Sequence, residues 1–193
     1  MEKWCLTLVG PNHPLPSDFC IETTDVHGKP FDIRAAKALH RLFDDAQSAG
    51  FPLEMVSGYR SVEYQKELVE RSLSRRMESG MTRAEAEAET ALYVAQPGRS
   101  EHNLGLAADI VNCGWFDEND DLEDWFDRTP HFAWLKENAW KYGFILRYPK
   151  DKTHITGIGY EPWHYRYVGA EAAKFITKTD ITLEEFHEKY LRK

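Results

Sequence analysis

Apolar residues along the chain follow two spacings, one typical of helices and one typical of short strands. Between Phe31 and Ala49 they recur every three to four residues, which predicts a helix. Asp32 near the start and Gly50 just past the end support those bounds. Further helices are predicted at 61–77, 82–96, 131–142, 170–178 and 182–191, and strands at 53–57, 106–111, 144–148 and 163–168.

Residue types at the helix ends support these assignments. Ser61 is suited to cap the second helix. Thr82 with Glu85, and Thr182 with Glu185, have the spacing of a capping box, in which two side chains satisfy free backbone N–H groups. We therefore expect helices to begin at all three positions.

Two stretches are expected to lack regular structure. Residues 10–30 contain four prolines, which predicts an extended arm wrapped over the rest of the protein. Residues 114–130 are acidic and aromatic, and we interpret them as a solvated loop, with a lid over a functional site as the alternative.

Helices that come in runs around short strands predict an α+β fold, with helices packed on a small, mainly antiparallel sheet.

Composition limits the function classes that need to be considered. With 193 residues, the length fits a single domain covering 1–193. Asp and Glu total 32 against 24 Lys and Arg, so the chain lacks the basic balance that a nucleic-acid partner requires. No apolar run approaches the roughly 20 residues of a membrane span, and the first residues do not have the pattern of a signal peptide.

One candidate site lies in the segment Ser-Glu-His-Asn-Leu-Gly-Leu-Ala-Ala-Asp at 100–109. Here His102 precedes Asp109, and the aspartate sits inside an apolar strand. Burying a lone carboxylate is costly unless it is paired with a cation or binds a metal. Both an ion pair with an arginine and a metal site are consistent with this segment alone.

A second candidate lies in the segment Glu-Pro-Trp-His at 161–164. In a regular strand Glu161 and His164, three apart, would point to opposite faces, so a turn at Pro162 is needed before both can reach one centre. A core histidine beside a surface glutamate is the alternative. Taken together, the two segments supply two imidazoles and two carboxylates, which are residue types that bind zinc. Three of these groups as ligands would leave one position open for water, and the fourth could act as a general base.

These segments resemble the zinc D,D-peptidases of the VanY, VanX and VanXY type, a family whose fold also occurs in the hedgehog signalling domain. The pattern Ser-x-His-x₆-Asp at 100–109 followed by Glu-x-x-His at 161–164 carries the resemblance. It extends through similar segments at 57–61, 96–98, 142–149, 155–157 and 167–169. The resemblance therefore covers nearly the whole chain.

The resemblance implies a function and a role for each site residue. The family's zinc ligands correspond to His102, Asp109 and His164, and its catalytic base to Glu161. Arg60 corresponds to the arginine that holds the substrate carboxylate or the developing oxyanion. Two further positions near the bound substrate correspond to Ser100 and Gln65.

By this resemblance we expect one catalytic zinc ion and removal of the terminal D-Ala from a peptidoglycan stem peptide or precursor, with no protein partner implied. The family also contains L,D-carboxypeptidases and D,D-dipeptidases with the same ligands, so those activities stay open. A non-catalytic zinc domain that binds the cell wall is the alternative of another class, and a thiol enzyme using Cys113 is a weaker one. The location stays open between the cytoplasm, as for VanXY, and the cell envelope, with an anchor removed.

Overall fold

The computed structural model describes residues 3–191. Its strands are β1 (Thr23–Val26), β2 (Lys29–Asp32), β3 (Leu53–Ser57), β4 (Ala107–Asn112), β5 (Phe144–Leu146) and β6 (His164–Tyr167). Its α-helices are α1 (Ile33–Ser48), α2 (Val62–Glu78), α3 (Arg83–Tyr93), α4 (Trp115–Glu118), α5 (Pro130–Asn138), α6 (Thr153–Thr156), α7 (Ala170–Thr179) and α8 (Leu183–Phe186). Shorter 3₁₀ turns cover Lys3–Leu6, Glu101–Leu104, Asp124–Arg128 and Ala139–Tyr142, and a π turn covers His187–Leu191.

The main sheet has four antiparallel strands in the order β3-β4-β6-β5. Strand β4 is central, and all of its residues from Ala107 to Val111 are buried. A separate two-stranded hairpin joins β1 and β2. The predicted α+β architecture with a small antiparallel sheet is therefore confirmed.

Helix α1 shows how the pattern of apolar residues produces this fold. The Asp32 side chain accepts a hydrogen bond from the Arg34 backbone N–H and so caps the helix, and Gly50 ends it with a positive φ of 85°. The inward face of the helix is fully buried against the core at Leu39, Leu42 and Ala46. The capping predicted at Ser61, Thr82 and Thr182 is present as well.

The predicted extended arm at 10–30 is wrong in its second half, because residues 23–32 form the β1–β2 hairpin. The turn consists of His27 and Gly28, both with positive φ, as two-residue hairpin turns require. The His27 ring stacks on Phe43 of α1, with ring centroids 4.3 Å apart. Pro30 is tolerated because this two-stranded sheet has only edge strands.

The acidic stretch 114–130 is also more ordered than a solvated loop. It contains α4 and the turn Asp124–Arg128. Trp115 and Phe126 are fully buried, with ring centroids 5.5 Å apart, and the Trp115 indole N–H donates to the Asp121 carbonyl. Two aromatic anchors thus fix the stretch to the core while its charges stay outside.

Three smaller differences concern element bounds. The strand predicted at 144–148 ends at Leu146, the short helix α6 was not predicted, and the last helix changes to a π turn after Phe186. Among residues 3–191, no helix combines the length and the apolar character that crossing a membrane demands.

Candidate functional site

A tight turn places His102 just before the start of β4. Residues 101–104 form a 3₁₀ turn whose first N–H groups are capped by Ser100, and Gly105 ends the turn with φ of 67°. A Cβ at Gly105 would lie 2.2 Å from Ile21 Cδ1, so no larger residue fits there without displacement. The His102 Nδ1–H donates to the Gly58 carbonyl at 2.7 Å, which leaves Nε2 directed at Asp109.

The central strand carries Asp109 between two neighbours. In the sheet, Asp109 is opposite Ser57 of β3 on one side and His164 of β6 on the other. A register shift between Met55 and Ser57 marks a bulge in β3 at this level. Strand pairing therefore brings Asp109 and His164 together although they are 55 positions apart in the chain.

A turn at Pro162 and Trp163 precedes β6, and the His164 N–H donates to the Glu161 carbonyl at 3.2 Å. Glu161 Oε2 lies 3.5 Å from His164 Nδ1. The turn that the sequence required before both side chains could reach one centre is therefore present, and both residues are buried.

The three predicted metal ligands form one buried cluster. Asp109 Oδ2 lies 3.2 Å from His102 Nε2, and Asp109 Oδ1 lies 3.1 Å from His164 Nδ1. One donor atom from each residue lies within 4.8 Å of the others, close enough to hold a single ion. Two imidazole nitrogens and a carboxylate are ligands that zinc accepts, and three protein ligands leave a position for water.

Burial and neighbouring charges shift the pKa values of the cluster in opposite directions. Burial, assisted by Arg60, lowers the pKa of His102 to about 4. Burial also lowers the pKa of His164, but its hydrogen bond to Asp109 and the nearby Glu101 carboxylate outweigh burial and raise the value to about 9. Burial would raise the pKa of Asp109, yet His102 and Arg60 hold it well below its usual range.

The pKa of the Glu161 carboxyl group is shifted in the opposite direction from that of Asp109. Burial raises the pKa of Glu161 to about 8, although the neighbouring His164 favours its charged form. Its carboxyl group is thus poised to exchange a proton near neutral pH, which is the property a general acid–base requires.

Sequence reasoning missed an ionic network behind His164. Glu101 Oε1 accepts hydrogen bonds from Arg147 Nε at 2.8 Å and Arg166 Nη1 at 2.7 Å, and all three side chains are buried. Glu101 Oε2 lies 3.6 Å from His164 Nε2. Arg147 also forms a double hydrogen bond with Glu184. The available signal was Glu101 next to the predicted ligand His102, but the arginines that bind Glu101 are distant in sequence.

The other predicted site residues lie around the cluster. Arg60 Nη2 donates to Asp109 Oδ2 at 2.6 Å, and Arg60 Nε donates to Ser57 Oγ at 2.7 Å. Asp109 is thus paired with an arginine and also grouped with two histidines, an arrangement that is consistent with both interpretations. Ser100 and Gln65 are buried beside the cluster, and Gln65 Oε1 has no hydrogen-bond partner among the described residues.

A cleft of about 680 Å³ gives access to the cluster. Its walls include all seven predicted site residues, namely Arg60, Gln65, Ser100, His102, Asp109, Glu161 and His164. Trp163 lines the cleft, whereas Tyr165 is part of the core. Tyr148, which was not predicted, also lines it, and its ring centroid lies 4.7 Å from that of His164. Cys113 lies outside this cleft.

Fold and site together agree with the family that the resemblance implied. Residues 29–170 match the VanY family of D-alanyl-D-alanine carboxypeptidases, and the chain belongs to this family. It is 41% identical over 186 residues to a D-alanyl-D-alanine carboxypeptidase of Enterococcus faecalis, a match that covers 96% of this chain and 66% of that relative. It is also 38% identical to the bifunctional D-Ala-D-Ala dipeptidase and carboxypeptidase VanXYC of Enterococcus gallinarum, covering 95% and 93% of the two chains.

Solved structures show the same relationship. VanYB in complex with D-alanine-D-alanine superposes with a TM-score of 0.86 at 40% identity, covering 97% of this chain and 99% of that one. A mutant of the D,D-pentapeptidase VanY from a VanB-type vancomycin resistance cassette, in complex with Zn(II), gives 0.85 at 41% identity, with 95% and 98% covered. The L,D-carboxypeptidase LdcB gives 0.76 at 38% identity, with 94% and 85% covered.

Proposed function

We propose that this protein is a zinc-dependent D-alanyl-D-alanine carboxypeptidase that removes the terminal D-Ala from a peptidoglycan stem peptide or its precursor. The observation that carries the proposal is the buried cluster of His102, Asp109 and His164, with Glu161 beside it, at the inner end of a peptide-sized cleft. The family match and the D-alanine-D-alanine complex of VanYB support the choice of substrate.

In the proposed site His102, Asp109 and His164 hold one zinc ion, which lowers the pKa of bound water and polarises the scissile carbonyl. Glu161 takes a proton from the attacking water and returns it to the amine of the departing D-Ala. Its raised pKa suits both transfers. His102 and His164 are held by Gly58 and Glu101, so their donor nitrogens stay directed at Asp109.

Arg60 is proposed to bind the substrate's terminal carboxylate or the oxyanion that develops during attack. Two of its nitrogens are already fixed by Asp109 and Ser57, which orients the rest of the guanidinium group. Gln65 and Ser100 are proposed to contact the peptide backbone. The buried Gln65 Oε1 can accept a hydrogen bond from a substrate amide without giving up a protein partner.

Two other activities of the same fold are the nearest alternatives. LdcB supports an L,D-carboxypeptidase, and VanXYC supports an added D,D-dipeptidase activity. Trimming the D-Ala-D-Ala end would also remove the terminus that vancomycin-type antibiotics bind. The relationship to vancomycin resistance enzymes supports a contribution to glycopeptide resistance.

The experiment is an assay for released D-alanine with the purified, zinc-loaded protein. The substrates are a pentapeptide ending in D-Ala-D-Ala, a tetrapeptide ending in L-Lys-D-Ala and free D-Ala-D-Ala, each with and without a chelator. We expect chelator-sensitive release from the pentapeptide. Release only from the tetrapeptide or only from the dipeptide would select the corresponding alternative, and no release by zinc-bound protein would favour a non-catalytic cell-wall-binding domain.

A further inference from the structure

The cleft extends well beyond the zinc site along one face of α2. Residues of this helix that line it recur every three to four positions, at Gln65, Leu68, Ser72 and Arg76. With a rise of 1.5 Å per residue, Gln65 and Arg76 are separated by roughly 16 Å along the helix axis. The far end of the cleft therefore belongs to a part of the substrate distant from the scissile bond.

The part of the cleft that runs along α2 from Gln65 to Arg76 is called the arm below. Its length decides which part of a peptide can occupy it. A carboxypeptidase places a single residue beyond the scissile bond, so the rest of the peptide must extend away from the zinc on the other side. An extended peptide advances roughly 3.3 Å per residue, so 16 Å accommodates about five residues. Free D-Ala-D-Ala would fill less than half of that length.

Three arginines of α2 lie along the arm, and only one lacks an acidic partner among the described residues. Arg71 pairs with Glu67, and Arg75 pairs with Asp121. Arg76 has no carboxylate oxygen within 4.0 Å in residues 3–191, although four acidic residues line the same cleft, namely Glu89, Asp121, Glu123 and Asp124.

Arg76 is nevertheless held firmly. Its Nη1 donates to Ser72 Oγ at 2.7 Å, and Ser72 Oγ is hydrogen-bonded to Thr90 Oγ1 of α3 at 3.1 Å. Ser72 and Thr90 are both buried. The Arg76 Nε–H is itself buried and has no hydrogen-bond partner in the described part of the chain. The buried Nε–H cannot be reached from the cleft, but Arg76 lines the cleft and is held in place, so its terminal Nη groups are well suited to bind a carboxylate.

We propose that Arg76 forms an anion subsite that binds a free carboxylate on the amino-terminal part of the donor peptide. This inference rests on the proposed function. In a stem pentapeptide the fourth residue from the carboxyl end is a γ-linked D-glutamate, whose α-carboxylate is either free or amidated. This residue is the third on the amino-terminal side of the scissile bond, about 10 Å away in an extended peptide. Arg76 is hydrogen-bonded to Ser72, which lies roughly 10 Å from Gln65 along α2, so the guanidinium group is at a matching level. The subsite therefore favours long peptides with the free acid over short or amidated ones.

The test compares kcat/KM for D-Ala release from three acetylated peptides: one with γ-D-glutamate, one with the amide γ-D-isoglutamine, and the truncated acetyl-L-Lys-D-Ala-D-Ala. Wild-type protein is expected to prefer the free acid over the amide by roughly tenfold or more, mainly through KM, as for a hydrogen bond to a charged group. Arg76→Gln should abolish this preference. Arg83→Gln is the matched control, because Arg83 is exposed on α3, pairs with Glu87 and does not line the cleft.

Equal kcat/KM of the wild type for the acid and the amide would overturn the proposal. So would an equal loss by Arg76→Gln on all three peptides, which would mean that Arg76 only supports the packing of Ser72. If Arg76→Gln does not fold, the wild-type ratio and Arg76→Lys still decide the question. Hydrolysis of none of the peptides would refute the proposed function instead, and calorimetry with the tripeptide acetyl-L-Ala-γ-D-Glu-L-Lys, as acid and as amide, would then test the subsite separately.

Discussion

Glu101 Oε2 lies 3.6 Å from His164 Nε2, on the side of the imidazole ring away from Asp109. This distance is longer than a hydrogen bond, so Glu101 acts on the imidazole through its charge, while Nδ1 on the other side of the ring faces the ligand cluster. Partners of this kind typically account for 10- to 100-fold in metal affinity. Because Arg147 and Arg166 hold Glu101 from behind, the orientation of a ligand depends on a buried ionic network.

Glu101→Gln is therefore expected to lower zinc affinity by roughly 10- to 100-fold, measured by competition with a chromophoric chelator. Glu184→Gln is the matched control, since Glu184 also binds Arg147 but no hydrogen bond links it to His164. That control should lose stability and keep its zinc affinity. Unchanged affinity in Glu101→Gln would show that the ring is oriented by other contacts.

Glu161→Gln is expected to retain zinc and to lose D-Ala release by about 10²- to 10⁴-fold, the usual contribution of a general acid–base. Zinc content is measured on the same samples by atomic emission. His164→Ala serves for comparison and should lose both metal and activity. Turnover near the wild-type rate in Glu161→Gln would remove this residue from the reaction.

The affinity for zinc is expected to rise with pH above the range in which an ordinary histidine titrates. Burial lowers the pKa of metal-free His164, but its hydrogen bond to Asp109 and the nearby Glu101 carboxylate outweigh burial and raise the value to about 9. This ligand is therefore expected to be protonated at pH 7. A proton must leave before zinc binds, and affinity should rise at least about tenfold per pH unit between 7 and 9, then level off. A chelator competition series across this range measures the slope. A plateau already at pH 7 would indicate an ordinary histidine pKa.

Gly58 should be intolerant of a side chain although it binds no metal. A Cβ there would lie 2.3 Å from the Pro30 carbonyl, and the Gly58 carbonyl holds His102. Gly58→Ala is expected to weaken zinc binding and lower thermal stability together. Gly10→Ala is the control, because a Cβ at Gly10 would meet nothing within 4 Å. Equal behaviour of the two variants in thermal melts and zinc titrations would contradict this account.

The buried anchors of the acidic stretch should matter for stability. Trp115→Ala is expected to lower the free energy of unfolding by about 3–5 kcal/mol, as for other large buried aromatics. Phe116→Ala, at a neighbouring position that is 48% exposed, should change it by less than about 0.5 kcal/mol. Urea denaturation of both variants measures the difference. A small effect at Trp115 would restore the interpretation of a solvated loop.

Local sequence signals predicted the features that depend on near neighbours. The caps at Ser61, Thr82 and Thr182 act within one helical turn, and all were predictable. The ligand set was recognisable through the family resemblance carried by the segments at 100–109 and 161–164, although Asp109 and His164 lie 55 positions apart. The condition on Glu161 and His164 could even be stated as a required turn.

What escaped prediction depends on contacts between distant segments. Glu101 meets Arg147 and Arg166 across separations of 46 and 65 positions, so nothing nearby marks it as part of a network. The β1–β2 hairpin was missed because its proline signalled an irregular chain, whereas an edge strand tolerates one. Likewise, the anchoring of Trp115 depends on a core that only the folded chain assembles.

Because Asp109 lies between Ser57 and His164 in the sheet, the proposed zinc ion would link metal supply to the lifetime of the protein. A bound ion ties β4 to a strand that arrives 55 positions later, and so it opposes the opening of that pairing. In cells starved of zinc, copies without the ion would open more often and be degraded sooner. The amount of enzyme, and not only its activity, would then follow the zinc available to the cell.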